Sequence, residues 1–537
     1  MYTTKYLLST IKEKPINTEA ISHQLMLRAG MIRMLSSGIY TWLPTGYRVI
    51  KKVINIISNI MDKNGYHEIC IPIIHPISLW SQSGRNKLYG EELIHFLNRK
   101  KQEYVLNPTN EEAINHIFSQ EIYSYKQLPI VFYQIQKKFR DEIRPRFGVI
   151  RSIEFIMKDA YSFHMNKKSL KKTYENMKQI YIKIFKKFHL NFKVVIADSK
   201  IMGGSVSHEF HAISNTGEDK IVFSNQSHHA VHLDKFNKKS NKIKFYFLQT
   251  KSDQNQYKCA VLLIREYETF SIKDLNNIPV LSYPVNFIKD KKIDDFYKED
   301  ANKNFYINKK IFIIADSRII DMSYFVIKKK IKKKNFIPII WNKKFFFNKI
   351  ITIQNIKKIF YYKTKEEQLT TKNSIEIGHI FQIGKKYSKY INFSLQDKKN
   401  NKKLLYMGCY GIGINRIIAS IIEQNHDHNG ILWPKCISPF TIFIIPINMH
   451  KNKKVKEVAK SIYIKLINKN IDVLFDDRKE NIGKMFADMN LIGIPYGIII
   501  SNNNITSKII EFYSRKNNSK IQVPINQIIS FIIKKIN

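Results

Sequence analysis

Apolar and polar positions alternate with a period of two along 131–164, VFYQIQKKFRDEIRPRFGVIRSIEFIMKDAYSFH, broken only by an Arg-Pro-Arg-Phe-Gly turn. Successive strand side chains point to opposite faces. Gln134, Gln136, Lys138, Arg140 and Glu142 therefore share one face of a first strand, and Arg151, Phe155, Met157, Asp159 and Tyr161 share one face of a second. Folded as a hairpin, the pair presents arginines, carboxylates and an aromatic ring on one surface. That surface suits a ligand combining phosphate, a purine and a small amine; an ordinary solvent-facing hairpin has the same pattern.

The period changes to helical on both sides of this segment. Helices are expected over 19–35 and 47–63, the second with Val49, Val53, Ile56, Ile57 and Ile60 as its apolar stripe. Gly65 ends it, and a strand is expected over 68–74 with Pro72 near its end. Proline is tolerated at sheet edges, so this unit suits a subunit interface or a plain helix–strand pair within one core. In LNPTNEEAINHI (106–117), Thr109 and Glu112 have capping-box spacing, and Glu111 sits in the first turn. A hydroxyl and a carboxylate at a helix start also suit an ammonium group. A long amphipathic helix follows from Leu170 to Phe188, then strands near 192–197 and within 203–214.

In LLYMGCYGIGINRIIASIIEQ (404–424) a strand is expected to end at Met407, a glycine turn to follow, and a helix to begin near Ile412 with Arg416 in its first turn. A helix start plus an arginine favours a phosphate. The glycine spacing is not a dinucleotide fingerprint. From 437 the pattern reads strand (441–446), helix (452–468), strand (471–475), helix (481–491), strand (494–500), a small α/β domain with parallel strands. Its charged stretch DDRKE lies where a strand ends, which is a binding-loop position or a solvated turn. Between 224 and 373 lysine runs alternate with short β-branched strands, and no glycine occurs from Glu218 to Ile377. Such a segment must turn on Asn, Asp, Pro and Lys, and is read as a separate inserted domain.

Composition bounds these readings. The 537 residues suffice for about three or four domains, and 44% hydrophobic content supports large cores. No apolar run reaches the ~20 residues of a membrane span, and the charged N-terminal stretch argues against a signal peptide. Four scattered cysteines without a C-x-x-C pair point to a reducing cytoplasm. His208 and His211 stand without a partnered set at metal-ligand spacing, so no structural zinc site is expected and no metal ligand is assigned. The net charge of +45 attracts polyanions, although abundant Lys, Ile, Asn, Phe and Tyr also have the look of AT-rich coding bias.

These residues together resemble the bacterial-type prolyl-tRNA synthetases of class II. FRDEIRPRFGVIRSIEF is similar to the second class motif, GCYGIGINR to the third, and the helix and strand ending at Pro72 to the first, which forms the dimer interface. SHQLMLRAGMIR, SGIYTWLPTG, SYKQLP, MKDAYSFH, DDRKE and FADMNLIGIP extend the likeness over nearly the whole chain outside the insertion. The resemblance implies an α/β architecture with an α+β catalytic domain: an antiparallel sheet flanked by helices (1–223 and 374–436), an inserted α+β editing-like domain (224–373) and a C-terminal α/β anticodon-binding domain (437–537). It also implies a cytoplasmic homodimer, without membrane attachment, whose partners are L-proline, ATP with Mg2+, and proline tRNA.

Carried over by motif, Arg140 contacts the α-phosphate and the proline carboxylate, Glu142 accepts from the adenine amino group, and Phe155 stacks on adenine. Arg151 and Arg416 hold the γ-phosphate, and Arg140 and Arg416 are the catalytic charges. Thr109 and Glu111 match the T-x-E loop that binds the imino group. Met157, Tyr161, Phe163, His164 and Cys409 line the proline pocket. Arg144, Arg146, Arg478 and Lys479 are the expected tRNA contacts. Three departures stand out. Asn110 replaces a histidine within T-x-E, away from the expected contacts, and little effect is expected. Ile153 stands where relatives often carry arginine. The shortened insertion has no glycine in the stretch matching the editing loop (300–310), and Asn241 falls where the editing lysine belongs. Weak or absent editing of alanyl-tRNA is the expectation. An RNA-binding protein that has lost the chemistry would have eroded Arg140, Glu142, Phe155 or Arg416, all of which are present. A sister enzyme for threonine, serine, glycine or histidine is disfavoured by SYKQLP and MKDAYSFH.

Overall fold

The computed structural model describes residues 1–16, 18–197, 206–224, 229–233 and 369–536, with segments 243–249, 259–265, 281, 297–299, 305–307, 311–316, 324–328, 336–340 and 349–351 of the insertion. Asn241, and 300–310 apart from Phe305–Ile307, lie outside the described residues.

A nine-stranded sheet forms the core. Its order runs Val206–Ile213, Phe192–Ala197, His229–His232, Asp219–Ser224, Leu369–Gly384, Tyr406–Gly413, Glu154–His164, Ile130–Phe139 and His67–Glu68. Neighbours are antiparallel except at two short strands, His229–His232 and His67–Glu68. The sheet thus takes in His229–His232 and begins again at Leu369, so it passes both boundaries expected for the insertion. Within the insertion, Ile243–Leu248, Cys259–Arg265, Ile311–Asp316 and Lys349–Ile351 make a four-stranded sheet of their own.

Helices Pro44–Asp62, Lys167–Lys187 and Ile414–Gln424 cover one face of the core sheet. The stripe of Ile414, Ile417, Ile418, Ile421 and Ile422 is wholly buried there, each side chain contributing about 1.5–3 kcal/mol relative to exposure. The helix expected over 19–35 is shorter, Ile21–Arg28, and a strand Ile32–Ser36 follows. Gly30 ends it at φ +64°, and a Cβ there would stand 2.1 Å from the Leu8 carbonyl oxygen. The strand expected over 68–74 divides into His67–Glu68 and Ile74–Pro76, in different sheets, on either side of Pro72. The glycines of GCYGIG are not a turn: strand Tyr406–Gly413 runs through them into the helix. Gly408 serves a close approach, because a Cβ there would meet the Tyr410 hydroxyl at 2.2 Å.

In the C-terminal unit Val473–Phe475, Ile442–Pro446 and Tyr496–Ile500 are parallel as expected. A hairpin, Ile509–Ser514 and Ser519–Pro524, extends the sheet antiparallel. The unbroken run IFII is explained by burial on both faces: Ile442 and Ile444 enter one core, Phe443 and Ile445 the other. Asp472 ties this unit to the helix Pro44–Asp62 through Arg48 at 2.8 Å and Lys52 at 2.7 Å.

One buried charge has a measurable consequence. Lys158, pointing into the helix layer, sits 3.1 Å from the Tyr181 hydroxyl, and burial pushes its ammonium down to about 7. Below that pH the lysine is charged in both states and the fold bears the whole desolvation penalty. Between about 7 and ~10.4 the unfolded lysine keeps a proton the folded one has lost, so stability rises with pH; above that range the penalty is gone. Lys158→Met should therefore be more stable than the parent at pH 6, with the gap closing by pH 10, as read from denaturant midpoints. A variant no more stable at pH 6 would contradict this.

Candidate active site

Strand Glu154–His164 sets Met157 opposite Gln136 and Asp159 opposite Gln134 on one side, and Tyr161 opposite Cys409 on the other. Phe155, Met157, Asp159 and Tyr161 line a cavity of about 650 Å³ together with Cys409, Gly411 and Gly413. The alternation read from the sequence is the one that separates this face from the helix-packed face bearing Lys158 and Ala160.

One end of the cavity is built from buried polar groups. Arg85 is fully buried and donates to Glu111 at 2.9 Å and Glu112 at 2.8 Å, with the Trp80 and Tyr89 rings 4.9 and 5.1 Å from its guanidinium. The Cys409 thiol donates to the other Glu111 oxygen at 3.0 Å. Burial, reinforced by Glu111, pushes that thiol well above its ordinary range, so it stays protonated. Thr109 lines the same wall with its hydroxyl buried and unmatched among the described residues. An unmatched hydroxyl beside a buried carboxylate is set up to take an ammonium group.

The capping box does not form. Asn110 is the N-cap of Glu111–Glu121, without a side-chain cap bond, and Glu112 turns to Ser83 at 2.7 Å and to Arg85. Burial raises the Glu112 carboxyl despite Arg85. Asn110 is also not remote. It is buried, its amide nitrogen donates to Asp159 at 2.8 Å, and its backbone N–H donates to the Tyr161 hydroxyl at 3.0 Å. Tyr161 and Gln134 donate to the same Asp159 oxygen. The side chain that makes no cap bond turns instead to Asp159, which lines the cavity.

At the other end, Arg140 lies with its guanidinium 5.2 Å from the Phe155 ring centre, and its buried Nε has no partner among the described residues. The neighbouring arginines are engaged. Arg151 donates to Glu142 at 2.7 Å and to Glu218 at 3.1 Å. Arg416 meets Glu376 at 3.1 Å and the Ile150 carbonyl. Burial opposes ionisation of Glu376, yet the His379 hydrogen bond and Arg416 hold its carboxyl down to about 2. Arg140, Glu142, Arg151, Phe155, Arg416 and Glu376 all line the one cavity.

Phe163 and His164 do not reach it. Phe163 packs among Phe118, Phe132 and Phe393 beyond the cavity, and His164 is on the opposite face, hydrogen-bonded to Ser162 and Ser169. Arg144 is exposed in the hairpin turn, and exposed Arg146 pairs with Glu218 at 2.5 Å. Ile153 is half-buried, its N–H bonded to the Gly38 carbonyl at 2.9 Å. Arg478 is clamped by Asp476 and Asp488, both at 2.7 Å, whereas Lys479 is exposed. Sequence reasoning missed Arg85, whose carboxylate partners lie 26 and 27 positions downstream with no local pattern linking them. Glu376 was likewise not singled out; its place in the alternating stretch IEIGHIF was the available signal.

Residues 93–277 and 303–425 match the tRNA synthetase class II core domain (G, H, P, S and T), and 441–535 match an anticodon binding domain. The proline–tRNA ligase of Buchnera aphidicola subsp. Schizaphis graminum is 44% identical, and one from Buchnera aphidicola subsp. Acyrthosiphon pisum 45% identical, each over the full length of both chains. Among solved structures, a Giardia lamblia prolyl-tRNA synthetase in complex with prolyl-adenylate superposes with a TM-score of 0.62 at 15% identity, covering 95% of this chain and 78% of that one. A Cryptosporidium parvum prolyl-tRNA synthetase complexed with L-proline and AMP gives 0.62 at 13% identity, covering 99% and 80%. At these identities the two structures speak for the fold.

Proposed function

Because the chain belongs to the proline–tRNA ligases of synthetase class II, we propose that the cavity makes prolyl-adenylate and passes the prolyl group to tRNA. The supporting observation is that Thr109 and Glu111 line the same cavity as Arg140, Phe155 and Arg416. Thr109 and Glu111 receive the proline ammonium, with Cys409 keeping the Glu111 carboxylate in place and Met157 and Tyr161 walling the ring. Adenine stacks on Phe155, and Glu142 accepts from its amino group once Arg151 turns to phosphate. A proline carboxylate oxygen attacks the α-phosphorus, the bond to the β-phosphate breaks, and pyrophosphate leaves. A hydroxyl at the tRNA 3′ end then attacks the acyl carbon and AMP departs. No protein nucleophile is needed: Arg140 and Arg416 supply fixed positive charge where phosphate charge develops.

The class uses Mg2+, and the ionised carboxylates of Glu376 and Glu209 on the cavity wall are hard oxygen donors that fit it. When bound, the ion supplies charge neutralisation on the phosphate oxygens. Arg144 and Arg146 at the hairpin turn and Lys479 in the C-terminal domain are the tRNA contacts, Arg478 being occupied by its two aspartates. We assign the segment between His232 and Leu369, narrower than the 224–373 expected, to an insertion with weak or absent editing, and the 437–537 unit to anticodon binding. Dimerisation through the Pro44–Asp62 helix and the edge strand His67–Glu68 is supported by the strand's place at the end of the sheet and the helix's packing beside it. A reducing cytoplasmic setting is supported by free Cys70, Cys409 and Cys436. Among the described residues no helix is long and apolar enough to cross a membrane.

Amino-acid-dependent ATP–pyrophosphate exchange tests the main reading: strong exchange with proline and none with threonine or serine is expected, and the reverse would refute it. Purified protein should also leave alanyl-tRNA largely acylated. Deacylation near the rate of an editing-competent relative would restore editing to the insertion.

A further inference from the structure

Beside the cavity, the hydrogen bonds around His211 do not close without a cation. His211 is fully buried in Val206–Ile213. Its Nδ1 lies 3.0 Å from the Ser374 hydroxyl, which gives its own hydrogen to the Asp219 carbonyl at 3.1 Å. A serine has one hydrogen to donate, so toward His211 it accepts, and Nδ1 carries the hydrogen. A neutral His211 then turns its Nε2 lone pair to Glu209 Oε2, 2.9 Å away. His232 brings its Nε2 to that same oxygen at 2.5 Å. Two ring nitrogens converging on one carboxylate oxygen call for positive charge on or between them.

We propose that Glu209, His211 and His232 form a binding site for a divalent transition ion of the zinc class. Two imidazoles and a carboxylate are the donors such an ion prefers, and one ligand atom from each lies within 4.8 Å of the others. On bonds of about 2.0–2.1 Å, tetrahedral donors stand roughly 3.3 Å apart. The 2.9 and 2.5 Å spacings to Glu209 widen to reach this, and His232, whose side chain is 20% exposed, lies on the open side of the cluster. Glu209 and His211 are two apart on one strand and so share a face; His232 comes from a different strand. The Ser374 bond fixes His211 in the tautomer that ligates through Nε2, as an outer partner does for a ligand histidine. Of the two histidines expected to lack a partnered set, His211 has Glu209 and His232 within reach, brought together across strands and not by sequence spacing.

Of the three, Glu209 alone lines the nucleotide cavity. An ion held here draws that carboxylate from the cavity and slows adenylate formation; this consequence, unlike the binding site itself, rests on the role proposed for Glu209 above.

The test uses full-length protein dialysed against chelator-buffered zinc, with bound metal read by elemental mass spectrometry. The parent should hold about one equivalent that His232→Asn and the double variant His211→Asn/His232→Asn, which keep every cysteine, do not hold. His232→Asn touches a part-exposed side chain and guards against loss by misfolding. Without zinc its Mg2+-supported exchange should equal the parent's; with zinc the parent alone should slow. No zinc in the parent, or equal zinc in all three proteins, would overturn the site and make His211 a protonated imidazolium held by Glu209. Zinc bound only by the parent, with exchange unmoved, would keep the site and overturn its effect on the cavity.

Discussion

Arg140→Ala should lower proline-dependent ATP–pyrophosphate exchange about 10²–10³-fold, the loss that follows removal of one preorganised charge-stabilising donor. The argument is one of pairing. Arg151 and Arg416 each face a carboxylate, so part of their attraction for phosphate must first be withdrawn from Glu142, Glu218 or Glu376. Arg140 has no such competitor among the described residues. Its guanidinium is held against Phe155 and its buried Nε is unmatched. A cation kept in place without a counter-ion acts on the developing charge with no reorganisation at the moment of reaction. The same feature separates activity from folding: with no ion pair to lose, Arg140→Ala should melt close to the parent. Near-normal exchange in this variant would show that Arg140 does not touch the reacting phosphate.

Arg85→Met should have the largest effect on stability, about 3–5 kcal/mol, because it strips the cation from two buried carboxylates. Glu111 and Glu112 share one guanidinium nitrogen, at 2.9 and 2.8 Å, and all three side chains are at most 2% exposed. Burial already raises the Glu112 carboxyl with Arg85 in place; removing the arginine raises it further. A carboxyl whose folded value lies above its unfolded value favours the fold at low pH and costs stability as pH rises past the unfolded value. The deficit of Arg85→Met should therefore be greatest at neutral pH and shrink toward pH 4. Denaturant melts at pH 4.5 and 7.5 measure it, and a deficit independent of pH would mean that lost packing against Trp80 and Tyr89, not unpaired charge, is responsible. Proline affinity should fall alongside, since Glu111 loses a bond that orients it.

Much of the site was open to reading along the chain. The two-residue period of 131–164 separated Phe155, Met157, Asp159 and Tyr161 from Lys158 and Ala160, and the isoleucines after Arg416 marked the buried helix face. Such patterns depend on bond geometry repeated over a few residues, which each segment carries wherever it packs. His164 shows the limit of a motif: it closes MKDAYSFH, but strand alternation turns it from the cavity that Tyr161 enters.

Charge partners could not be read the same way. Local spacing made Thr109 and Glu112 a capping box, yet a guanidinium 27 positions upstream of Glu112 competes for that carboxylate and wins, because a buried charge must be paired where a surface cap is worth about 1 kcal/mol. Arg478 looked free in a charged turn and is clamped by Asp488 from the next helix. The glycines of GCYGIG looked like a turn and are a strand; at Gly408, Tyr410 and Ser162 of the neighbouring strand leave no room for a side chain. Glu209, His211 and His232 carry no sequence signature together; separate strands of the core sheet bring their donor atoms to one point. The chain by itself determined which faces are apolar and where the class motifs stand, since those follow from periodicity and residue type. Only the tertiary structure decided which charges are paired and which, like Arg140, have no carboxylate partner among the described residues, since pairing depends on distance in space between groups far apart in sequence.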